Sequence, residues 1–119
     1  MYTLTDFNMT FDITSMCIFA DLPPPPVNLS QFDVTMTSVI VGWSAPAHNE
    51  PFRITNYTVQ YKKFGTKMSY YDAVTVSSDK RESIVENLDS DTQYLMRVAS
   101  INGYGSQPSE TIVVHTKGQ

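Results

Sequence analysis

The stretch from Leu88 to Gly105 constrains the fold of this 119-residue chain more than any other. After a polar turn, Tyr94, Met96 and Val98 occupy alternate positions, and the run closes at a second turn that contains two glycines. Alternation with a period of two is typical of a strand with one buried face. A tyrosine directly after a polar turn also predicts a tyrosine corner, in which the ring packs inward and the hydroxyl bonds to the backbone of the preceding connection.

Composition indicates a single all-β domain. Apolar residues make up 41% of the chain, which is enough for a core, and no stretch shows sustained helical periodicity. The net charge of −4 argues against a nucleic-acid-binding protein, whose affinity rests on clustered basic residues. No apolar run approaches the roughly 20 residues that a membrane-spanning helix needs. The only cysteine, Cys17, excludes an internal disulfide.

The first 22 residues differ from the rest. They hold no lysine or arginine, and Phe7 to Ile13 alternates as a strand would, so the segment lacks the features of a signal peptide. It is interpreted either as an N-terminal extension or as the remnant of a preceding module. The proline run Pro23–Pro26 favours an extended spacer and marks the domain boundary, which leaves residues 23–117 as the folded domain. A ligand for an SH3 or WW domain is the alternative interpretation of the prolines.

From Val27 onward, turn signals recur about every 8–12 residues, as in a β-sandwich. Seven strands are predicted. The residues that mark them are, in order, Leu29 and Val34; Val39, Val41 and Trp43; Ile54, Tyr57, Val59 and Tyr61; Tyr71, Val74 and Val76; Val85 and Leu88; Tyr94, Met96 and Val98; and Ile112, Val114 and Thr116. On the third strand, Asn56, Thr58 and Gln60 are expected to face outward. The expected architecture is a seven-stranded Greek-key sandwich.

An ordered set of motifs carries a family resemblance. It consists of Pro26 with Leu29, the segment from Ser38 to Trp43, Pro46, the run Tyr57-Thr58-Val59-Gln60-Tyr61, Leu88 with Thr92 and Tyr94, and Asn102, Gly105, Pro108, Ser109 and Thr116. In this order, residues 23–117 resemble a fibronectin type III domain. The resemblance implies an immunoglobulin-like sandwich with a core of Trp43, Tyr57, Tyr61, Leu88, Tyr94 and Val98.

Three positions qualify the resemblance. Ser90 stands where the corner usually has proline. Gln31, with Phe32 beside it, takes a place that is commonly apolar, so a bulge is predicted in the first strand. Met96 stands where a true immunoglobulin domain would carry a cysteine, which makes that rival family a poor match.

Catalytic, metal and cofactor sites are not indicated. His48 and His115 have no partners at metal-ligand spacing, and no glycine-rich phosphate loop follows a strand. Asp89 and Asp91 flank a turn, where aspartates commonly cap backbone amides. We therefore expect no enzyme activity and no cofactor.

The sequence features that could indicate a binding site are less specific than those that indicate the fold. Tyr104 lies between two glycines at a predicted loop tip and is the best candidate for a protein contact, with local packing as the alternative. Lys62, Lys63 and Lys67 cluster at the turn after the third strand, either as a site for an acidic partner or as a solvated loop.

Three Asn-x-Ser/Thr sequences begin at Asn8, Asn28 and Asn56, and each is a possible glycan site in a secreted protein. Their number favours secretion only mildly, because the chain is rich in serine and threonine.

The resemblance implies a binding and spacer module of an extracellular cell-adhesion or receptor-type protein. Its partners would be other proteins and the neighbouring domains of the same chain. Two alternatives stay open: a structural module of an intracellular muscle-filament type protein, and an accessory domain of an enzyme whose catalytic part lies elsewhere.

The predicted core position of Trp43 can be tested directly. Trp43→Ala is expected to cost about 3–5 kcal/mol, since it empties the largest buried volume that the alternation predicts. Chemical denaturation measures the free energy of unfolding, and a loss under about 1 kcal/mol would contradict the placement.

Overall fold

The computed structural model describes residues 22–46 and 53–118. This part of the chain contains eight strands and no helix. The strands are β1 (Val27–Phe32), β2 (Val39–Ser44), β3 (Asn56–Lys63), β4 (Tyr71–Ser77), β5 (Glu82–Val85), β6 (Gln93–Asn102), β7 (Gly105–Pro108) and β8 (Ile112–His115).

The strands form two antiparallel sheets, as an immunoglobulin-like sandwich requires. One has the order β1-β2-β5, and the other places β3 between β4 and β6. The free side of β6 pairs with both β7 and β8. The chain crosses between the sheets after β2, β4 and β5, so the two apolar faces close on each other. The prediction of an all-β sandwich is confirmed.

The predicted seventh strand corresponds to β8, and an additional short strand, β7, precedes it. Both lie beside β6, with Ala99 opposite Pro108 and Met96 opposite Ile112. Ser109 holds the break, because its backbone N–H donates to the Val98 carbonyl at 2.8 Å and its hydroxyl accepts from the Val98 N–H at 3.0 Å. β7 and β8 therefore follow one another along the same edge of β6.

The core is built from alternate residues of both sheets. Its buried members are Val39, Val41, Trp43, Tyr57, Val59, Val85, Leu88, Tyr94, Met96, Val98 and Val114. Trp43 on β2 is 5% exposed, and its ring meets that of Tyr57 on β3 at 5.6 Å between centroids. This tilted contact joins the two sheets within the core.

Tyr94 forms the tyrosine corner at the base of β6. Its ring is 2% exposed and lies edge-on to Tyr61, with centroids 5.5 Å apart. The Asp89 N–H donates to its hydroxyl at 2.8 Å. The hydroxyl of Thr116 donates to the Asp89 carbonyl at 2.6 Å, so the segment after β8 is tied to the same corner.

Two predicted core residues lie elsewhere than expected. Leu88 is buried at 4% exposure, but it lies in the connection beyond β5, where its N–H donates to the Thr37 carbonyl at 2.9 Å. Its placement on the fifth strand was therefore wrong. Tyr61 is half-buried at the margin of the core, because its ring lies between Tyr94 and the exposed Tyr71.

The predicted bulge in the first strand is confirmed, and it lies before Gln31. Val27 pairs with Ser44, but the next pair is Ser30 with Gly42, so β1 carries one extra residue between them. Asn28 within this bulge has a φ of 59°. Gln31 itself pairs regularly with Val41, and its side chain donates to the Val113 carbonyl on the other sheet at 2.9 Å.

Thr58 was expected to face solvent, but it is 5% exposed. Its hydroxyl is hydrogen-bonded to that of Thr75 on β4 at 2.9 Å. Because β3 lies between β4 and β6, neighbouring side chains cover the outer face of the strand as well as the inner one.

The corner hydrogen bond is testable. Tyr94→Phe is expected to lower the free energy of unfolding by about 1–3 kcal/mol, because it leaves the Asp89 N–H without its acceptor. Urea denaturation provides the measurement. Tyr70→Phe is the matched control, since the Tyr70 hydroxyl makes only an exposed 3.4 Å contact with Thr111; equal losses in the two variants would contradict the role of the corner.

Candidate protein-interaction surface

One end of the sandwich gathers the turns that follow β4 and β6. At the start of β3, Asn56 pairs with Ser77 at the end of β4 and with Ile101 near the end of β6. The turn at 77–81 and the turn at 102–105 therefore share this end, which we call the N-terminal pole. The opposite end carries the connections after β3 and β5.

The turn at the N-terminal pole that holds Tyr104 is organised by Asn102. The Asn102 side-chain oxygen accepts hydrogen bonds from the N–H of Tyr104 at 2.8 Å and from that of Gly105 at 3.2 Å. Asn102 is 8% exposed, whereas Tyr104 is 70% exposed. The buried amide thus fixes the backbone while the tyrosine ring projects away from the part of the domain that the structure describes.

The segment that leads into the domain is packed onto the same turn. Pro23 is fully buried, and a β-carbon added at Gly105 would lie 2.7 Å from Leu22 Cδ2. Two non-bonded carbons do not approach so closely, so only glycine fits there beside Leu22. Gly105 also has a φ of 153°, a conformation that favours glycine. The chain therefore reaches β1 along a defined path over the β6–β7 turn.

The turn at 77–81 is held by short polar contacts. The Ser77 hydroxyl donates to the Asp79 carboxylate, which lowers the pKa of that carboxyl. The Arg81 guanidinium donates to the carbonyls of Ser78 at 2.6 Å and Lys80 at 2.7 Å. This leaves an ordered polar rim beside the Tyr104 turn.

Of the three lysines considered either as a site for an acidic partner or as a solvated loop, two make separate contacts at the opposite end. Lys63 pairs with Asp89 at 2.6 Å, an interaction that raises the pKa of the lysine. Lys62 donates to the Thr66 carbonyl at 3.4 Å and lies 5.3 Å from the centroid of the Tyr70 ring. Because Asp89 neutralises Lys63, the structure does not support a joint site for an acidic partner.

A polar ladder crosses the outer face of the larger sheet, and the sequence pattern did not reveal it. The Arg97 guanidinium stacks on the Tyr70 ring at 3.9 Å, and its Nε donates to Gln60 at 2.8 Å. Gln60 in turn donates to Asp72 at 2.8 Å. The alternation places Arg97 and Gln60 on the outward face, but only the register of β3 with β6 sets them side by side.

The three glycosylation sequences differ in their placement. Asn8 lies outside the described residues. Asn28 is exposed in the β1 bulge, whereas Asn56 is half-buried and its amide donates to the Val76 carbonyl at 3.4 Å. Asn56 is therefore less available than the strand alternation suggests.

Cys17 and His48 also lie outside the described residues. His115 contacts Asp91 at 2.9 Å. Within residues 22–46 and 53–118, no group of three or more histidine, cysteine, aspartate or glutamate side chains could hold a metal ion. The same part of the chain contains no helix that is long and apolar enough to span a membrane.

Comparison with known proteins identifies one domain family. The model of the fibronectin type III domain matches residues 23–116. Drosophila melanogaster titin is 34% identical over 83 residues, which are 70% of this chain and 0%, to the nearest per cent, of that protein. Human receptor-type tyrosine-protein phosphatase F is 28% identical over 109 residues, which are 91% of this chain and 6% of that protein.

A solved structure shows the same architecture. The crystal structure of domains A168–A170 from titin superimposes with a TM-score of 0.73 at 29% identity, and it covers 82% of this chain and 33% of that one. The chain thus spans only a small part of the curated relatives that it matches.

The fit of Leu22 against Gly105 generates a prediction. Gly105→Ala is expected to cost about 2–4 kcal/mol of unfolding free energy, because the new methyl group meets Leu22 and the backbone conformation disfavours a side chain. In a Leu22→Ala background the same substitution is expected to cost at least about 1 kcal/mol less, since the steric part is relieved.

Gly103→Ala is the matched control. A β-carbon at Gly103 would meet nothing within 4 Å, and its φ lies outside the left-handed region. Its effect should stay within about 0.5 kcal/mol. Equal costs at the two glycines, measured by denaturant titration, would show that Leu22 does not pack on the turn.

Proposed function

The chain belongs to the fibronectin type III family, and from that premise we propose that it is a non-enzymatic module that binds proteins and spaces neighbouring domains in an extracellular cell-adhesion or receptor-type protein. Its partners are other proteins and the adjoining domains of the same polypeptide. The similarity to a receptor-type phosphatase supports this class of parent protein.

The proposal rests on the packing of residues 22–23, which lead into the domain. Leu22 lies against the β6–β7 turn and Pro23 is buried, so the start of the described chain is held at the N-terminal pole. At the other end, the Lys117 carbonyl accepts from the Asp91 N–H at 3.0 Å, which fixes the path of the chain as it leaves β8. A domain that fixes its chain at opposite ends transmits position and orientation from one neighbour to the next.

Tyr104 is the proposed contact residue of this module. Its ring is 70% exposed on a turn whose backbone Asn102 holds in place. A tyrosine presented on a pre-ordered turn contributes a large contact area at low entropic cost, and tyrosine is enriched at protein interfaces. Binding residues are commonly placed on loops that a rigid scaffold positions.

A second candidate function is a structural module of an intracellular muscle-filament type protein, which the similarity to titin favours. An accessory domain of an enzyme is compatible with the similarity to a receptor-type phosphatase. These candidates differ from the first in where the domain resides and in what adjoins it.

The proposal is tested by photo-crosslinking in intact cells. A photoreactive amino acid is placed at residue 104 of the full-length gene product, and adducts are identified by mass spectrometry after illumination. We expect a protein adduct that an externally added protease removes, because the contact lies outside the cell. An adduct that is protected until the membrane is permeabilised supports the intracellular candidate.

Met68 provides the matched control position. It is 74% exposed but lies in the β3–β4 connection at the opposite end of the sandwich. The same adduct in equal yield at both positions, or none at residue 104, would contradict the role of Tyr104. Tyr104→Ala should leave the unfolding free energy within about 0.5 kcal/mol, so that loss of the adduct cannot be attributed to unfolding.

A further inference from the structure

Asn28 is exposed on the edge strand β1. The extra residue between Val27 and Ser30 interrupts the pairing of β1 with β2. Asn28 adopts a left-handed φ of 59°, which asparagine tolerates better than most residues, and both Asn28 and Ser30 are exposed. Within the described part of the chain, no side-chain hydrogen bond holds the Asn28 amide. The acceptor amide and the hydroxyl two residues later are therefore both accessible.

A groove adjoins this asparagine. On the opposite sheet, β7 ends at Pro108 and β8 begins at Ile112. This break lies beside the β1 bulge, and the edges of the two sheets separate there. The resulting groove has a volume of about 390 Å³, within the roughly 300–1,000 Å³ of small-ligand sites. Pro25, Val27, Leu29 and Ile112 give it apolar walls, and Ser109 and Glu110 give it a polar rim.

The chemistry of the groove suits a carbohydrate. The faces of a pyranose ring that carry C–H groups pack on apolar side chains, while its hydroxyls need hydrogen-bonding partners at the rim. Asn28 is itself one of the residues that line the groove. A sugar attached to its side chain would begin at the mouth of the groove without a separate binding step.

In the second glycosylation sequence of the domain, the Asn56 amide and the Thr58 hydroxyl are both engaged in hydrogen bonds. The Asn56 amide donates to the Val76 carbonyl, and the Thr58 hydroxyl is buried against Thr75 at 2.9 Å. Asn56 also lies between Ser77 on β4 and Ile101 on β6. A glycan there would break the side-chain bond and crowd both neighbouring strands.

We propose that Asn28 is the N-glycan acceptor of this domain and that the first sugars of the glycan lie in the groove between β1 and the β7–β8 break. The donor is a lipid-pyrophosphate-linked oligosaccharide. The Asn28 side-chain nitrogen bonds to the anomeric carbon of its first N-acetylglucosamine, the bond from that carbon to the phosphate oxygen breaks, and the amide gives up one proton. Transfer takes place on the nascent chain. Folding then determines at which of the two asparagines the finished sandwich can accommodate a glycan.

The natural occurrence of this modification depends on the proposed extracellular function, but the test separates the two. The 119-residue chain is expressed behind an added secretion signal, in an Asn8→Gln background that removes the sequence at Asn8. Peptide mass spectrometry after enzymatic release of the glycan identifies the modified asparagine. We expect a glycan on Asn28 that Asn28→Gln and Ser30→Ala each abolish and that Asn56→Gln leaves unchanged.

Other outcomes overturn the assignment. A secreted, folded protein without sugar at residue 28, or with a glycan on Asn56, contradicts Asn28 as the acceptor of the domain. Because secretion is imposed, this result does not depend on where the protein resides naturally. If Asn28 is modified under imposed secretion but bare in protein from its own cells, the site stands and the extracellular function fails.

The groove is tested separately by methyl NMR. Resonances of Leu29 and Ile112 should differ between the glycosylated protein and its Asn28→Gln variant. Those of Val85 and Leu88 should not, because β5 forms the other edge of the smaller sheet and Leu88 follows it. Unchanged Ile112 resonances would show that the sugars extend into solvent and would remove the groove from the proposal.

Discussion

Contact between apolar side chains is what holds the two sheets of this sandwich together. In the described part of the chain no backbone ladder joins the sheets, so their union depends on the faces that meet between them. The pair of Trp43 and Tyr57 belongs to that contact, with centroids 5.6 Å apart. Burial of large aromatic rings supplies the largest share of stabilisation per residue. The alternation of apolar residues along β2, β3 and β6 places their side chains on the faces that meet between the sheets.

The ends of the sandwich are fixed by polar contacts that apolar packing alone would leave loose. At one end, Tyr94 accepts the Asp89 N–H while Thr116 binds the Asp89 carbonyl. At the other, the Asn102 side chain orders the turn that presents Tyr104. Because both ends are ordered, the proposed spacer and binding roles would act from a domain with fixed ends.

The edges of the sheets are interrupted by irregularities, whereas their faces are covered by apolar packing. An unpaired strand edge invites pairing with other chains, and natural proteins interrupt or cover it. Here β1 carries a bulge, β7 and β8 are separated by a break, and Gln31 donates to the Val113 carbonyl across the gap. The same irregularities open the groove beside Asn28, so edge protection and the proposed modification share one structural cause.

The sequence by itself determined the fold, because a period of two and the order of turns depend only on near neighbours along the chain. Trp43 and Tyr94 were placed in this way, and the family resemblance followed from the same residues. Local pattern does not set strand register or contacts between distant segments. Thr58 therefore proved buried, and Leu88 lay beyond its strand. Only the tertiary structure decided that Leu22 meets Gly105, that Lys63 is neutralised by Asp89, and that Asn28 is open while Asn56 is closed, because each depends on which segments the closed sandwich brings together.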